Sequence, residues 1–203
     1  VANLDREAFK EAIREHRQRY PNAFIVIQPH WGKNYAWRSV YQKQKATELG
    51  ELGADLIVGH GAHMLQEVEF VNDIWCVHGL GNAVFNNNGE HDERGVPPVS
   101  LVATLDVSLF KDMIYYFLKL YPFWCHNYKT NFQPRPLNAD EFSQFLTLMS
   151  RRMPHLDRTS PFVNADMDDL GHHVSVLVRA APVSAWAATS GDRHPAVDGD
   201  SCV

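Results

Sequence analysis

Cysteine is scarce in this chain of 203 residues. Cys76, Cys125 and Cys202 are odd in number and widely spaced, and there is no C-x-x-C, which excludes a disulfide framework and a cysteine zinc knuckle. Cys76 sits in an apolar run and reads as a small core residue. Positive charge is also short. Nineteen Lys and Arg face 24 Asp and Glu, for a net charge of −5, so the basic footprint of a phosphate-backbone binder is missing and nucleic acid is not an expected partner. Long apolar runs are absent, and stretches such as Met113–Leu118 are far too short to span a bilayer. Residues 1–20 mix acidic and basic side chains where a signal peptide has an apolar core. Glycine (12) and proline (11) are too few for a collagen-like or low-complexity chain. At 45% hydrophobic and 21% charged, the composition is that of a globular protein. A chain this long buries roughly 70% of its unfolded surface, enough for a real core. The abundant residue is histidine, with eleven copies, and that abundance asks for an explanation.

The order of patterns predicts an α/β beginning. Residues 4–19 read as a helix, with Leu4, Ala8, Ala12 and His16 on one stripe, Phe9 and Ile13 beside it, and Asn3 as the N-cap. Its Arg14, Arg17 and Arg19 give residues 1–50 nine basic against five acidic side chains, which reads as a solvated helix face. Ala23–Gln28 is a continuous apolar run, the mark of a strand covered on both faces. A loop, a helix over 38–52 closed by Gly53, and a second buried strand over Ala54–Val58 follow. Strand, helix and strand in this length make a βαβ unit, whose crossover forces the two strands parallel. The loops after both strands then open on one edge of the sheet, where open α/β sheets place their ligands.

The later chain predicts antiparallel, meander-like strands with one wetter face. Val68–Val71 and Ile74–Val77 flank Asn72-Asp73, a two-residue hairpin turn. Val99–Val107, Met113–Tyr121 and His173–Arg179 alternate. Asn138 caps a helix over 139–152, with Phe142, Phe145, Leu146 and Met149 on its apolar face. The fold class is therefore α/β with an α+β mixture. Residues 1–179 form one domain, and 180–203, rich in Ala, Ser, Gly, Asp and Pro, read as a flexible tail.

Three histidines fall on the predicted ligand edge. His30 ends the first strand, and His60 and His63 lie in the glycine-rich loop after the second. Each alone reads as a satisfied hydrogen-bonding group, whereas together they suit a metal or phosphate site, imidazole being the commonest metal ligand. His78 precedes the Gly79–Asn82 loop and could approach the same edge. His91, within Glu90–Glu93, reads as solvated, and His126, His155, His172, His173 and His194 show no convergent neighbours. No G-x-S-x-G elbow points to a serine hydrolase, and the aromatics of Tyr115–Trp124 read as sheet packing because basic interleaving is missing.

The motifs themselves are informative. Pro29-His30-Trp31-Gly32, then Gly53–His63, then Leu65-Gln66-Glu67-Val68-Glu69, then Leu80-Gly81-Asn82-Ala83-Val84-Phe85 follow in order. Over residues 24–86 this resembles the capsule-synthesis CapA family, associated with poly-gamma-glutamate, whose pattern runs HWG-x-E-Y, GAD-h-h-h-GH-x-x-H, h-Q-x-h-E and S-LGN-x-h-F. That family is similar to the calcineurin-like metallophosphoesterases. The resemblance implies a β-sandwich flanked by helices, with a metal centre of one or two Mn, Fe or Zn ions at one edge. It implies metal-ligand roles for His30, His60 and His63 and carries over Asn82 as a family position, with His30 and Asn82 as catalytic candidates. The substrate implied is a phosphorylated small molecule or a polyanionic polymer. Asn34 stands where the family has an acidic residue, and the amino-terminal ligand motifs of such a centre are absent. The chain is therefore expected to be the carboxyl-terminal part of a longer protein, with the missing amino-terminal half as its partner and the segment alone inactive. A non-catalytic capsule-assembly scaffold is the competing expectation. The compartment is not legible, although the resemblance allows a membrane-associated or extracytoplasmic setting.

Overall fold

A computed structural model of the chain describes residues 7–84, 89–153, 156 and 163–187. Helix α1 (Glu7–Arg19) carries Glu7 in its first turn and His16, Arg17 and Arg19 in its last, which suits the helix dipole. The expected cap at Asn3 lies outside the described residues. Strand β1 (Val26–Ile27), helix α2 (Val40–Glu51) and strand β2 (Leu56–Val58) make the expected βαβ unit, with β1 and β2 parallel. Ser39 and Gln42 close a capping box at the start of α2, each side chain taking up the other's backbone N–H.

Strands β3 (Val68–Val71) and β4 (Ile74–Val77) form the expected hairpin. Asn72 and Asp73 both sit in the left-handed region, at φ 47° and 63°, as a tight two-residue hairpin requires. The hairpin is not part of a half-wet meander, however. β4 pairs in parallel with β2, which gives a mixed sheet of order β1-β2-β4-β3. Every residue of β4 is buried, because one face meets helices and the other meets a second sheet. The run Ala23–Gln28 also departs from expectation. Only Val26 and Ile27 are strand, and they form the end of the sheet among the described residues, with Val26 38% exposed rather than covered on both faces.

A short helix α3 (Glu90–Arg94) leads into the second sheet. Strands β5 (Val99–Phe110) and β6 (Met113–Trp124) form a long hairpin. Helix α4 (Asn127–Thr130) and strand β7 (Arg135–Pro136), which pairs with the end of β6, follow. Helix α5 (Ala139–Arg152) falls on the predicted span and opens with a capping box of Asn138 and Glu141. Strands β8 (Val163–Asp168) and β9 (Gly171–Pro182) complete an antiparallel sheet of order β5-β6-β9-β8. β9 continues past Ala180, and helix α6 (Val183–Ala187) follows, with Asn22 donating a hydrogen bond to the Ala185 carbonyl. The rest of the expected tail, 188–203, lies outside the described residues.

The two sheets share one core. Leu56, Val58, Val68, Trp75 and Val77 of the mixed sheet cluster with Leu118, Leu120, Val174 and Val176 of the antiparallel sheet, and α5 adds Phe142, Phe145 and Met149. On the other face of the mixed sheet, Ile57, Cys76 and Ile74 pack with Ile13 of α1 and Ala46 and Leu49 of α2. The continuous apolar run of β2 follows from this layering, since Leu56 and Val58 face one layer and Ile57 the other. The result is a mixed α/β molecule of helices, mixed sheet and antiparallel sheet in layers. No helix among the described residues is long and apolar enough to cross a membrane.

Candidate functional site at the histidine edge

The parallel pairing of β1 and β2 carries directly into the loops that follow them. His60 N–H donates to the Pro29 carbonyl at 3.0 Å, and Trp31 N–H donates to the His60 carbonyl at 2.8 Å, so His30 and His60 face each other as a parallel bridge. Their rings lie 4.8 Å apart and perpendicular, and both residues are exposed. Gly61 makes this approach possible. Its φ is +111°, and a Cβ there would fall 2.9 Å from Cδ2 and Nε2 of His30. Burial, helped by the neighbouring His30, holds the His60 pKa below the usual imidazole value, which favours the neutral ring that ligates a metal.

His63 takes a different set of partners. Its backbone is left-handed at φ 59°, its Nδ1 lies 2.9 Å from Asn82 Oδ1, and its ring stacks on Tyr35 at 5.9 Å. Tyr35 and Asn82 are buried, at 8% and 6% exposure. Burial and then the Glu90 carboxylate push the Tyr35 phenol up to about 12, with Asn82 opposing. The four expected site residues thus form two pairs, His30 with His60 and His63 with Asn82. Among the described residues, no group of three His, Cys, Asp or Glu side chains converges as a metal cluster would. The donor chemistry suits Mn, Fe or Zn, but the number of convergent donors falls short of the three protein ligands of a catalytic zinc site. Asn34 is exposed and supplies no carboxylate.

Beneath the edge is a polar network. The Trp31 indole donates to the His78 carbonyl at 2.7 Å and stacks on the His78 ring. His78 therefore lies under Trp31, fully buried, rather than at the edge. Its Nε2 is 3.3 Å from Glu69 Oε2 without hydrogen-bond geometry. Burial pushes the His78 pKa down to about 4 despite the opposing pull of Glu69. Glu69 receives a two-pronged bond from Arg38, at 3.0 and 2.8 Å, and Glu67 accepts the Arg38 backbone N–H at 2.9 Å. Burial works against the Glu69 charge, yet Arg38 holds its pKa below the usual carboxylate value. Gln66 accepts from Gln42 and donates to the Ala36 carbonyl, both at 2.8 Å. These bonds tie the 29–39 loop, which carries His30, to the segment before and within β3.

Sequence reasoning did not assign Tyr35, Arg38 or Gln42 to the site. The available signal was the polar pair Gln66 and Glu69 inside an otherwise apolar segment. His91 corrects an expectation. It is fully buried against Tyr35 and 3.9 Å from Cys125 Sγ, because α3 turns Asp92 and Glu93 outward and His91 inward. Burial, reinforced by His126, pushes its pKa down to about 4. His126, expected to be isolated, pairs with Asp92 at 2.8 Å.

Comparison with known proteins finds similarity over the first part of the chain. Residues 1–87, which carry the βαβ unit and the histidine edge, match the profile described as "Bacterial capsule synthesis protein PGA_cap". The chain is 36% identical over 87 residues to the PGA biosynthesis protein CapA of Bacillus subtilis (strain 168), covering 42% of this chain and 22% of that protein. It is 36% identical over 63 residues to the capsule biosynthesis protein CapA of Bacillus anthracis, covering 30% of this chain and 15% of that one. Through this segment the chain is similar to the capsule-synthesis CapA proteins. It spans less than a quarter of the length of either relative.

Proposed function

We propose that this chain supplies the histidine edge of a metal-dependent, phosphoesterase-like hydrolase site serving capsule-polymer biosynthesis, on a calcineurin-like scaffold of two packed sheets. The observation that carries the reading is the pair His30 and His60, brought to 4.8 Å at the carboxyl edge of two parallel strands within the family segment. His30 and His60, with His63 beside them, would hold one or two ions of Mn, Fe or Zn. Such an ion supplies Lewis acidity toward a phosphoryl or similar oxygen and lowers the pKa of a bound water.

The chain's own residues prepare the edge. His60 is biased toward its neutral, ligating form. Gly61 leaves room for the His30 ring, and Trp31, clamped on His78, fixes the backbone between them. The substrate class of this reading is a phosphorylated small molecule or a polyanionic polymer such as poly-gamma-glutamate; the two relatives are named for PGA and capsule biosynthesis. Two side-by-side imidazoles hold an ion weakly, so a complete centre needs ligands beyond this pair. A non-catalytic capsule-assembly role is favoured by one observation, the exposed Asn34 in the position of the family's acidic residue.

The test uses Zn²⁺, Mn²⁺ and Fe²⁺ with this chain and with a longer protein containing it. The expected result is metal uptake that falls in His30→Ala and His60→Ala, and hydrolysis of a generic phosphodiester by the longer protein only. Equal uptake by wild type and both variants removes the ligand assignment. Absence of turnover by the longer protein with all three metals favours the assembly role.

A further inference from the structure

Asn82 sits in the loop after β4, next to Gly81, which lies against Ser100 with φ +89°. It is 94% buried by its 6% exposure, and its amide is half satisfied. Oδ1 meets His63 Nδ1 at 2.9 Å, while Nδ2 is buried with no hydrogen-bond partner. The Tyr35 hydroxyl, beside Asn82 and Glu90, is buried too. His63 itself is held in a left-handed backbone conformation that a non-glycine side chain adopts only when its surroundings demand it. The Tyr35 ring, stacked at 5.9 Å and 23°, fixes the plane of the imidazole.

A carbonyl oxygen only accepts, so a hydrogen bond at this distance requires His63 to carry its proton on Nδ1. The neutral ring then keeps its lone pair on Nε2. A free histidine in water favours the opposite tautomer, with the proton on Nε2. We infer that Asn82 is a positioning residue rather than a catalytic one: with Tyr35 it orients His63 and fixes it in the Nδ1–H tautomer, presenting Nε2 as the ligating nitrogen. This rests on the reading of His63 as a metal ligand, but its first prediction concerns the protein without metal. Orientation of a ligating histidine through its second nitrogen is a general device of metal sites.

The experiment is a long-range ¹H–¹⁵N correlation spectrum of the metal-free chain with labelled histidine, at a pH where His63 is neutral. Wild type is expected to show the Nδ1–H pattern for His63. Asn82→Leu, which keeps the volume and loses the acceptor, is expected to shift His63 toward Nε2–H, and Asn82→Asp is expected to retain Nδ1–H. Tyr35→Phe is expected to keep the stack and the tautomer. An Nε2–H pattern in wild type would overturn the inference directly, even if Asn82→Leu fails to fold, because it means the amide faces the ring with Nδ2. An unchanged tautomer in a folded Asn82→Leu chain also overturns it. A wild-type chain that binds no Zn²⁺ yet shows Nδ1–H leaves the positioning role standing and removes the ligand reading instead.

Discussion

The two sheets share a core and treat charge in opposite ways. In the mixed sheet, Glu67 and Glu69 are 8% and 7% exposed, and their partners Arg38 and His78 come from the loops around the histidine edge. In the antiparallel sheet, Lys119 bridges Asp106 and Asp168 from side chains 26%, 46% and 33% exposed, far from any candidate site residue in the chain. Its apolar residues also reach solvent at the β5–β6 end, where Val107, Leu109 and Phe110 are more than half exposed. The antiparallel sheet is a scaffold built largely from apolar burial and long ladders. The mixed sheet spends buried polar groups on holding loops in place, a costly choice unless loop position matters.

The sharpest way to break this comparison is to cut one ion pair in each sheet. Glu69→Ala leaves Arg38 and His78 without their buried carboxylate and is expected to cost about 3 kcal/mol in urea unfolding. A loss as small as that of a surface substitution would mean the buried network carries no structural load. The second effect is acid sensitivity. His78 and His91 have folded pKa values near 4, below the unfolded value of about 6.5, through burial. The unfolded chain therefore takes up protons first as pH falls. Stability is fully present above about pH 6.5 and is lost between there and about pH 4, by about 1.4 kcal/mol per pH unit for each histidine titrating only when unfolded. Unfolding free energies measured at pH 7.5, 6 and 5 should fall in that order, and a flat profile would contradict the buried-histidine account. The smallest effect belongs to the other sheet, where Lys119→Ala is expected to cost at most about 1 kcal/mol and less in high salt. A larger, salt-insensitive loss there would erase the contrast between the sheets.

Much of the frame was legible because local signals agreed with each other. The βαβ unit, the Asn72-Asp73 hairpin and the Asn138-capped helix each combined an apolar period with the right turn or cap residue. The placement of His30 beside His60 followed from topology alone. Other features depended on partners distant in sequence. The hairpin joined the parallel sheet because β4 found β2, which no local pattern announces. β8, Val163–Asp168, was not read as a strand although Val163, Ala165 and Met167 alternate with polar residues, since the run is short and four of its six residues are exposed. His91 read as solvated because its neighbours are charged, yet a single helical turn is enough to bury one residue and expose the next three. The contacts of His63 with Asn82 and Tyr35, and its left-handed backbone, are not signalled by any sequence pattern.

On the proposed function, His30 and His60 together form the metal-binding end of the sheet edge. X-ray absorption fine structure of the Zn²⁺-loaded chain measures it most directly, because ligated imidazoles leave a countable scattering signature. The account predicts at least two imidazole ligands in wild type and one fewer in both His30→Ala and His60→Ala. A zinc environment without imidazole, or an imidazole count unchanged in both variants, would contradict it.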